Sequence, residues 1–236
     1  MIMCEGCAQN GFSRRALMFG AAGMLAATQL GGAAQAQPAR LASTPDAALK
    51  LLVDGNARYV ANQAQQRDFS AGRASRALGQ APFAAILGCA DSRVAPELAF
   101  DQGPGDLFIV RVAGNFVTND GLGSLEFGAA VLGTKLIMVL GHHSCGAVNA
   151  TVEALQKGNK LPGHIAGLVT AMKPGVESVL KQPGDDIQRR AVIANVQYNV
   201  TRLKKATPIL ADMVAKGDVG VVGGVYDIGT GKVTLV

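Results

Sequence analysis

Between Leu140 and Val148 the chain reads Leu-Gly-His-His-Ser-Cys-Gly-Ala-Val, which sets an imidazole three residues ahead of a thiol. Thiolate sulfur and neutral imidazole nitrogen are good zinc ligands, but two of them do not hold an ion. The third must come from elsewhere, and Cys89 is the only other thiol in the body of the chain. It opens the run Cys89-Ala-Asp91-Ser-Arg93. Two cysteines and one histidine leave a fourth position open, as catalytic rather than structural zinc requires. The competing use of the thiols is a Cys89 to Cys145 disulfide. Cysteine count alone does not separate the two, and the neighbouring His and Asp-x-Arg favour the metal.

The elements that must position these groups follow from the pattern of apolar runs. Phe83 to Gly88 and Lys135 to Leu140 read as fully buried strands, each ending in Gly followed by a ligand-type residue. Gly146 to Gln156 reads as a helix, so Cys145 stands near its N-terminus, where the helix dipole favours a thiolate. In a parallel sheet such groups gather in the crevice at the carboxyl ends of the strands. Before the first strand, Thr44-Pro45-Asp46 starts a helix carrying Ala48, Leu51, Leu52 and Tyr59, and Asn62 to Gln80 forms an irregular arm. Pro96 to Phe100 makes one helical turn. Leu107 to Val112 is a third strand, ending in the cluster Ala113-Gly114-Asn115, and Gly121 to Leu132 is helical.

Farther on, Ile165 to Leu180 reads as helix interrupted at Lys173-Pro174-Gly175. Asp186 to Lys205 is a helix with Ile187, Ala191, Ala194, Tyr198 and Leu203 on its buried face. A short helix from Pro208 ends at Lys216-Gly217, Val219 to Tyr226 is a buried strand, and Lys232 to Val236 is an antiparallel edge strand. The fold class is therefore α/β: one mostly parallel β-sheet with an antiparallel edge strand, flanked by helices.

At 236 residues the chain suits one catalytic domain, preceded by a targeting segment. Ser13-Arg14-Arg15, the apolar run Ala16 to Leu30 and Ala34-Gln35-Ala36 resemble a twin-arginine signal with its cleavage site, although Leu17 stands where Phe is usual. The division expected is 1–36 as export signal and 37–236 as the domain, with a periplasmic or otherwise exported product. Export would remove Cys4 and Cys7. It would also remove Arg14, Arg15 and Glu5, leaving 20 basic and 16 acidic side chains of the original 22 and 17. That excess is scattered, with no basic stripe interleaved with aromatics, so no nucleic-acid partner is expected.

With Cys89-x-Asp91-x-Arg93 and His142-x-x-Cys145 in this order, the chain resembles the β-class carbonic anhydrases. The resemblance continues through Asp101-Gln102, Gly105-Asp106-Leu-Phe, Arg111-Val-Ala-Gly-Asn115, Gly133-Thr-Lys-Leu, Gly141-His-x-x-Cys-Gly-Ala147 and Val225-Tyr-Asp227. It implies reversible hydration of CO2 to bicarbonate and a proton, with one zinc ion per chain held by Cys89, His142 and Cys145. That zinc would lower the pKa of a bound water and present hydroxide to CO2. Asp91 is the candidate to accept the water's hydrogen bond, and Arg93 to keep Asp91 ionised and oriented. Gln102 and the Gly146 N–H look like the substrate-side donors. The pattern selects His142 over His143, which is left as a partly exposed bystander, with a proton shuttle as its competing role.

Of the family's bicarbonate-inhibition pocket, Arg111 and Tyr226 match, but the Trp position resembles Ile86. An open zinc without strong bicarbonate inhibition is therefore expected. The family also implies a homodimer or higher even oligomer. Two other functions fit the same ligands: hydrolysis of CS2 or COS, and a bicarbonate- or zinc-binding relative without turnover.

Overall fold

The computed structural model describes residues 42–236. The expected signal segment, with Cys4, Cys7 and the paired arginines, lies outside the described residues. The elements, in order, are α1 (Pro45–Val60), α2 (Arg73–Arg76), β1 (Ala84–Gly88), α3 (Pro96–Ala99), β2 (Leu107–Arg111), α4 (Asn119–Glu126), β3 (Leu136–His142), α5 (Gly146–Lys157), α6 (Ile165–Leu180), α7 (Ile187–Lys204), α8 (Ile209–Lys216), β4 (Gly220–Tyr226) and β5 (Val233–Leu235). The strands form one sheet in the order β2-β1-β3-β4-β5. All neighbours are parallel except β4 and β5. The α/β sheet read from the sequence is thus the sheet observed, with its antiparallel strand at one edge.

Strand alternation divides the core into two layers. Ala85, Leu87, Ile137 and Val139 face the layer of α4 to α8, whereas Ala84, Ile86, Leu136, Met138 and Leu140 face α1 and α3. Every residue of β1 and β3 is buried, and both strands are apolar runs, as strands covered on both faces must be, up to His142 at the tip of β3. Each large aliphatic side chain among them contributes about 1.5–3 kcal/mol by leaving water. Helix α1 starts where the Thr44 hydroxyl accepts the Ala47 N–H at 3.2 Å and Pro45 occupies the first turn.

Three helical readings are corrected. The Lys173-Pro174-Gly175 interruption does not occur: Pro174 sits inside a continuous α6. One helical N–H is lost there, but Met172, Val176 and Val179 are buried on either side. A Cβ on Gly175 would come within 3.2 Å of the Asn195 Cα, so tight seating on α7 holds the helix through the proline. The reading of Gly121 to Leu132 as plain helix gives way to α4, capped by Thr118, continued by a π-helical turn over Phe127–Val131. The buried face of α7 is also rotated. Val192, Asn195, Val196 and Asn199 are buried beside Ala191 and Leu203, while Ala194 and Tyr198 are only partly so. Two asparagines in the stripe hid it from an apolar count, because their amides are satisfied by backbone groups rather than by water.

Candidate metal centre

After β1 the chain moves outward to β2 and then returns to place β3 on the other side of β1. The crossovers diverge at that point, opening a crevice beyond the carboxyl ends of β1 and β3. Cys89 follows β1 directly and His142 is the last residue of β3. Cys145 occupies the N-cap of α5, reached through Ser144 in a left-handed conformation (φ 56°) that turns the chain sharply into the helix. Helix α7 can lie close over this end of the sheet because residues 141 and 223 are glycines. A Cβ on Gly141 would stand 2.6 Å from the Val196 Cγ2, and one on Gly223 2.7 Å from the Val196 Cγ1.

The three ligand atoms of Cys89, His142 and Cys145 lie within 4.8 Å of one another, and all three residues are buried. The sulfurs are 3.9 Å apart and both thiols are free. That is well beyond the ~2.05 Å of a disulfide and close to the ~3.8 Å that two sulfurs span on a tetrahedral zinc with ~2.3 Å bonds. His142 Nδ1 is 2.9 Å from the carbonyl oxygen of His143. The N–H therefore belongs on Nδ1, and Nε2 turns a lone pair inward. Nε2 is buried with no hydrogen-bond partner, as a ligand nitrogen should be.

Electrostatics at the cluster favour a cation. Without one, the two thiols share a proton. The hydrogen bond from Cys145 holds Cys89 down to about 4 against the opposing effect of burial. The same hydrogen bond, with burial, pushes Cys145 well above the usual thiol range. Burial lowers the basicity of His142, but the neighbouring Cys89 sulfur outweighs it and raises its pKa. A dication resolves the competition by accepting both sulfurs as thiolates. The Gly114 N–H donates to Cys89 Sγ at 3.3 Å.

Asp91 stands beside the cluster, with Oδ2 3.8 Å from His142 Nε2. Arg93 grips it in a fork, Nε to Oδ1 at 2.9 Å and Nη2 to Oδ2 at 2.7 Å, and its backbone N–H adds a bond to Oδ1 at 2.9 Å. These bonds hold the carboxyl below the usual carboxylate range. Arg111, at the end of β2, donates to the carbonyls of Cys89, Asp91 and Val94 at 2.7–2.9 Å. It thereby fixes the backbone that carries ligand and carboxylate. That structural role was missed in the sequence, where Arg111 stood out only as a pocket residue; its position at a strand end is the signal that could have found it.

The remaining named residues are more widely placed. Gly146 opens α5 next to Cys145, with open space where a side chain would be. Gln102 is not with the three ligands. Its amide donates to the Phe100 carbonyl at 2.9 Å, and it lines a cavity of about 140 Å³ with Tyr59, Arg67, Glu97 and Asp101. His143 Nδ1 lies 3.1 Å from Asp227 Oδ2, with about a third of its side chain exposed. Ile86, Arg111 and Tyr226 do not share one pocket: Ile86 is fully buried under α1, Arg111 is spent on loop carbonyls, and the Tyr226 hydroxyl is 3.4 Å from that of Tyr59.

The chain is similar to known proteins along most of its length. A carbonic anhydrase family model matches residues 84–233. Carbonic anhydrase 2 of Mycobacterium tuberculosis is 39% identical over 198 residues, covering 82% of this chain and 93% of its own. The carbonic anhydrase of Mycolicibacterium smegmatis is 40% identical over 194 residues, covering 82% and 94%. Among solved structures, the Coccomyxa β-carbonic anhydrase in complex with acetazolamide superposes with a TM-score of 0.63 at 31% identity, covering 80% of this chain and 86% of that one. The β-carbonic anhydrase CcaA gives 0.64 at 26% identity, covering 79% and 86%.

Proposed function

The chain belongs to the carbonic anhydrase family, in its β class, and on that premise we propose how its residues hydrate CO2. The observation that carries the reading is the buried triad at the strand tips, with His142 Nε2 unpartnered and aimed at two free thiols. Cys89, His142 and Cys145 hold one zinc ion, which when bound makes hydroxide available near neutral pH. Two thiolates donate more charge than two imidazoles would, so the surrounding hydrogen bonds matter more here. Asp91, kept ionised by Arg93, accepts a hydrogen bond from the attacking water and turns its lone pair toward the substrate carbon. The Gly146 N–H, at the positive end of α5, faces the developing charge on the substrate oxygens. Gln102, which lines a separate cavity in its own chain, would join them from the neighbouring subunit of an oligomer. The C–O bond forms at carbon, and the water's proton leaves to solvent as bicarbonate departs.

Stopped-flow CO2 hydration on the purified mature protein tests this, beside its zinc content and a Cys145→Ser control. Fast hydration that disappears together with the metal in Cys145→Ser is the expected result. Full zinc with no hydration but turnover of CS2 or COS would overturn the substrate, and an oxidised Cys89–Cys145 pair without zinc would overturn the site.

Two finer readings accompany it. A homodimer is supported by β2, an edge strand of apolar residues only half covered within one chain, and by the exposed Leu98, Phe127 and Val131. Sedimentation equilibrium should give twice the chain mass or an even multiple of it. Export of the domain from near Gln37 is supported by the paired arginines and apolar run of residues 13–30. Replacing Arg14 and Arg15 with lysine should retain the chain inside the cell, and the N-terminal sequence of the exported form locates the cut. Among the described residues no helix is long and apolar enough to cross a membrane.

A further inference from the structure

Helix α7 carries three polar side chains at spacings of four and three residues, Asn195, Asn199 and Arg202, which therefore share one face. All three engage the backbone of the loop after β2. Asn195 Nδ2 donates to the Gly114 carbonyl at 2.8 Å, the Val117 N–H donates to Asn199 Oδ1 at 2.9 Å, and Arg202 Nη1 donates to the Val117 carbonyl at 3.0 Å. Asn199 Nδ2 also donates to the Asn195 carbonyl at 2.8 Å and lies 3.2 Å from its Oδ1, which fixes both amides. Asn195 and Asn199 are fully buried, and the glycine at 175 on α6 leaves the room for Asn195. Two asparagines in a helix interior facing a packed layer are costly unless their bonds are needed.

What they hold is an unfavourable turn. Gly114 and Asn115 are consecutive residues with positive φ, 89° and 43°, a combination that an L-residue such as Asn115 adopts at a cost. A side chain at 114 is disfavoured by the positive φ and because its Cβ would lie 2.3 Å from the Met172 sulfur and force that side chain to move. The turn aims the Gly114 N–H at Cys89 Sγ. Such an N–H withdraws charge from a ligand thiolate and strengthens the metal's pull on its remaining ligand.

From this geometry we infer that Asn195, Asn199 and Arg202 are positioning residues for the metal centre: they lock the Gly114 turn so that its N–H stays on the Cys89 sulfur. The inference rests on the zinc reading above. The same helix presses Val192 and Val196 onto Gly141, the residue before His142. One helix thus fixes the surroundings of two of the three ligands.

The test uses the full chain loaded with spectroscopic metals. In ¹¹³Cd-loaded wild type, the Gly114 amide proton should show scalar coupling to cadmium through the Cys89 sulfur. In Asn195→Leu, which keeps the number and branching of side-chain heavy atoms while removing the donor, the coupling should vanish. The thiolate-to-metal charge-transfer band of the cobalt(II) form should move to longer wavelength, and zinc affinity by chelator competition should fall about tenfold. Loss of stability alone would move none of the spectroscopic signals. Should Asn195→Leu not fold, Arg202→Met at the exposed end of the ladder should shift the cobalt band in the same direction by less. No coupling to Gly114 in wild type, or an unshifted band in a folded variant, overturns the inference. Failure to bind cadmium or cobalt at all would instead overturn the zinc reading, so the two failures are distinct.

Discussion

The three ligands and the carboxylate beside them do separable work. Cys145 contributes an electron pair to the ion, so Cys145→Ser should lose zinc and hydration together. The Asp91 carboxylate takes its hydrogen bonds from Arg93 and supplies no ligand atom to the triad. Asp91→Asn should therefore retain a full equivalent of zinc while kcat/KM for CO2 falls about 100-fold, the scale of a lost proton acceptor; metal analysis beside stopped-flow rates checks both. Because the Arg93 fork holds Asp91 below the usual carboxylate range, the carboxylate stays ionised throughout the neutral range. A fall in activity on acidification through the neutral range would therefore report another group. His143 faces Asp227 at the surface, and His143→Ala should leave turnover unchanged in weakly buffered solution. A drop that added imidazole restores would instead identify it as a proton shuttle.

Two elements outside the crevice are tied down strongly enough to measure. Asp101, itself buried in a left-handed turn after α3, binds Arg58 of α1 at 2.5 Å, Arg67 of the following arm, and the Gln65 N–H. Burial raises its pKa, but the two arginines more than reverse that and leave it lowered. The sign follows: the stabilisation is complete above the unfolded carboxylate value of ~3.9 and is lost as pH falls through the lower folded value. Asp101→Asn should cost roughly 3 kcal/mol at neutral pH, near the low end for a broken buried pair because both arginines reach solvent. The gap to wild type should close on acidification below about pH 4; denaturant unfolding at several pH values measures it. At the other wall, Gly141→Ala places a methyl 2.6 Å from Val196. It should cost about 1–3 kcal/mol and weaken zinc binding by tilting His142. Adding Val196→Ala should recover part of both, since the residues are in contact.

For the whole molecule, the relevant question is how the centre responds to its product. A bicarbonate-driven shutdown needs Asp91 to leave Arg93 and an anion pocket to receive bicarbonate. Here Arg111 is committed to three carbonyls of the Cys89–Val94 loop, and Ile86 is buried on the far side of the sheet. The initial rate should therefore fall without cooperativity as pH drops below neutral, and added bicarbonate should act only as a product. Sigmoidal pH dependence sharpened by bicarbonate in stopped-flow assays would contradict this.

Sequence by itself determined the strands, their order of chemistry and the ligand types. Fully buried strands declare themselves as unbroken apolar runs, and Cys, His, Asp and Arg at their tips have few other uses together. The helices were legible where amphipathic, and the same rule misplaced the inner face of α7. Asn195 and Asn199 are polar by type and buried by context, because their partners are backbone groups some 80 residues away in the chain. Only the tertiary structure decided that the two thiols stand at metal rather than disulfide distance, that His142 turns Nε2 inward, and that Gln102 lies apart from its own chain's centre. Each of these depends on distances across the crevice, set by how closely α7 packs onto Gly141 and Gly223. Local residue pattern carries element type; it does not carry the spacing between elements that only packing fixes.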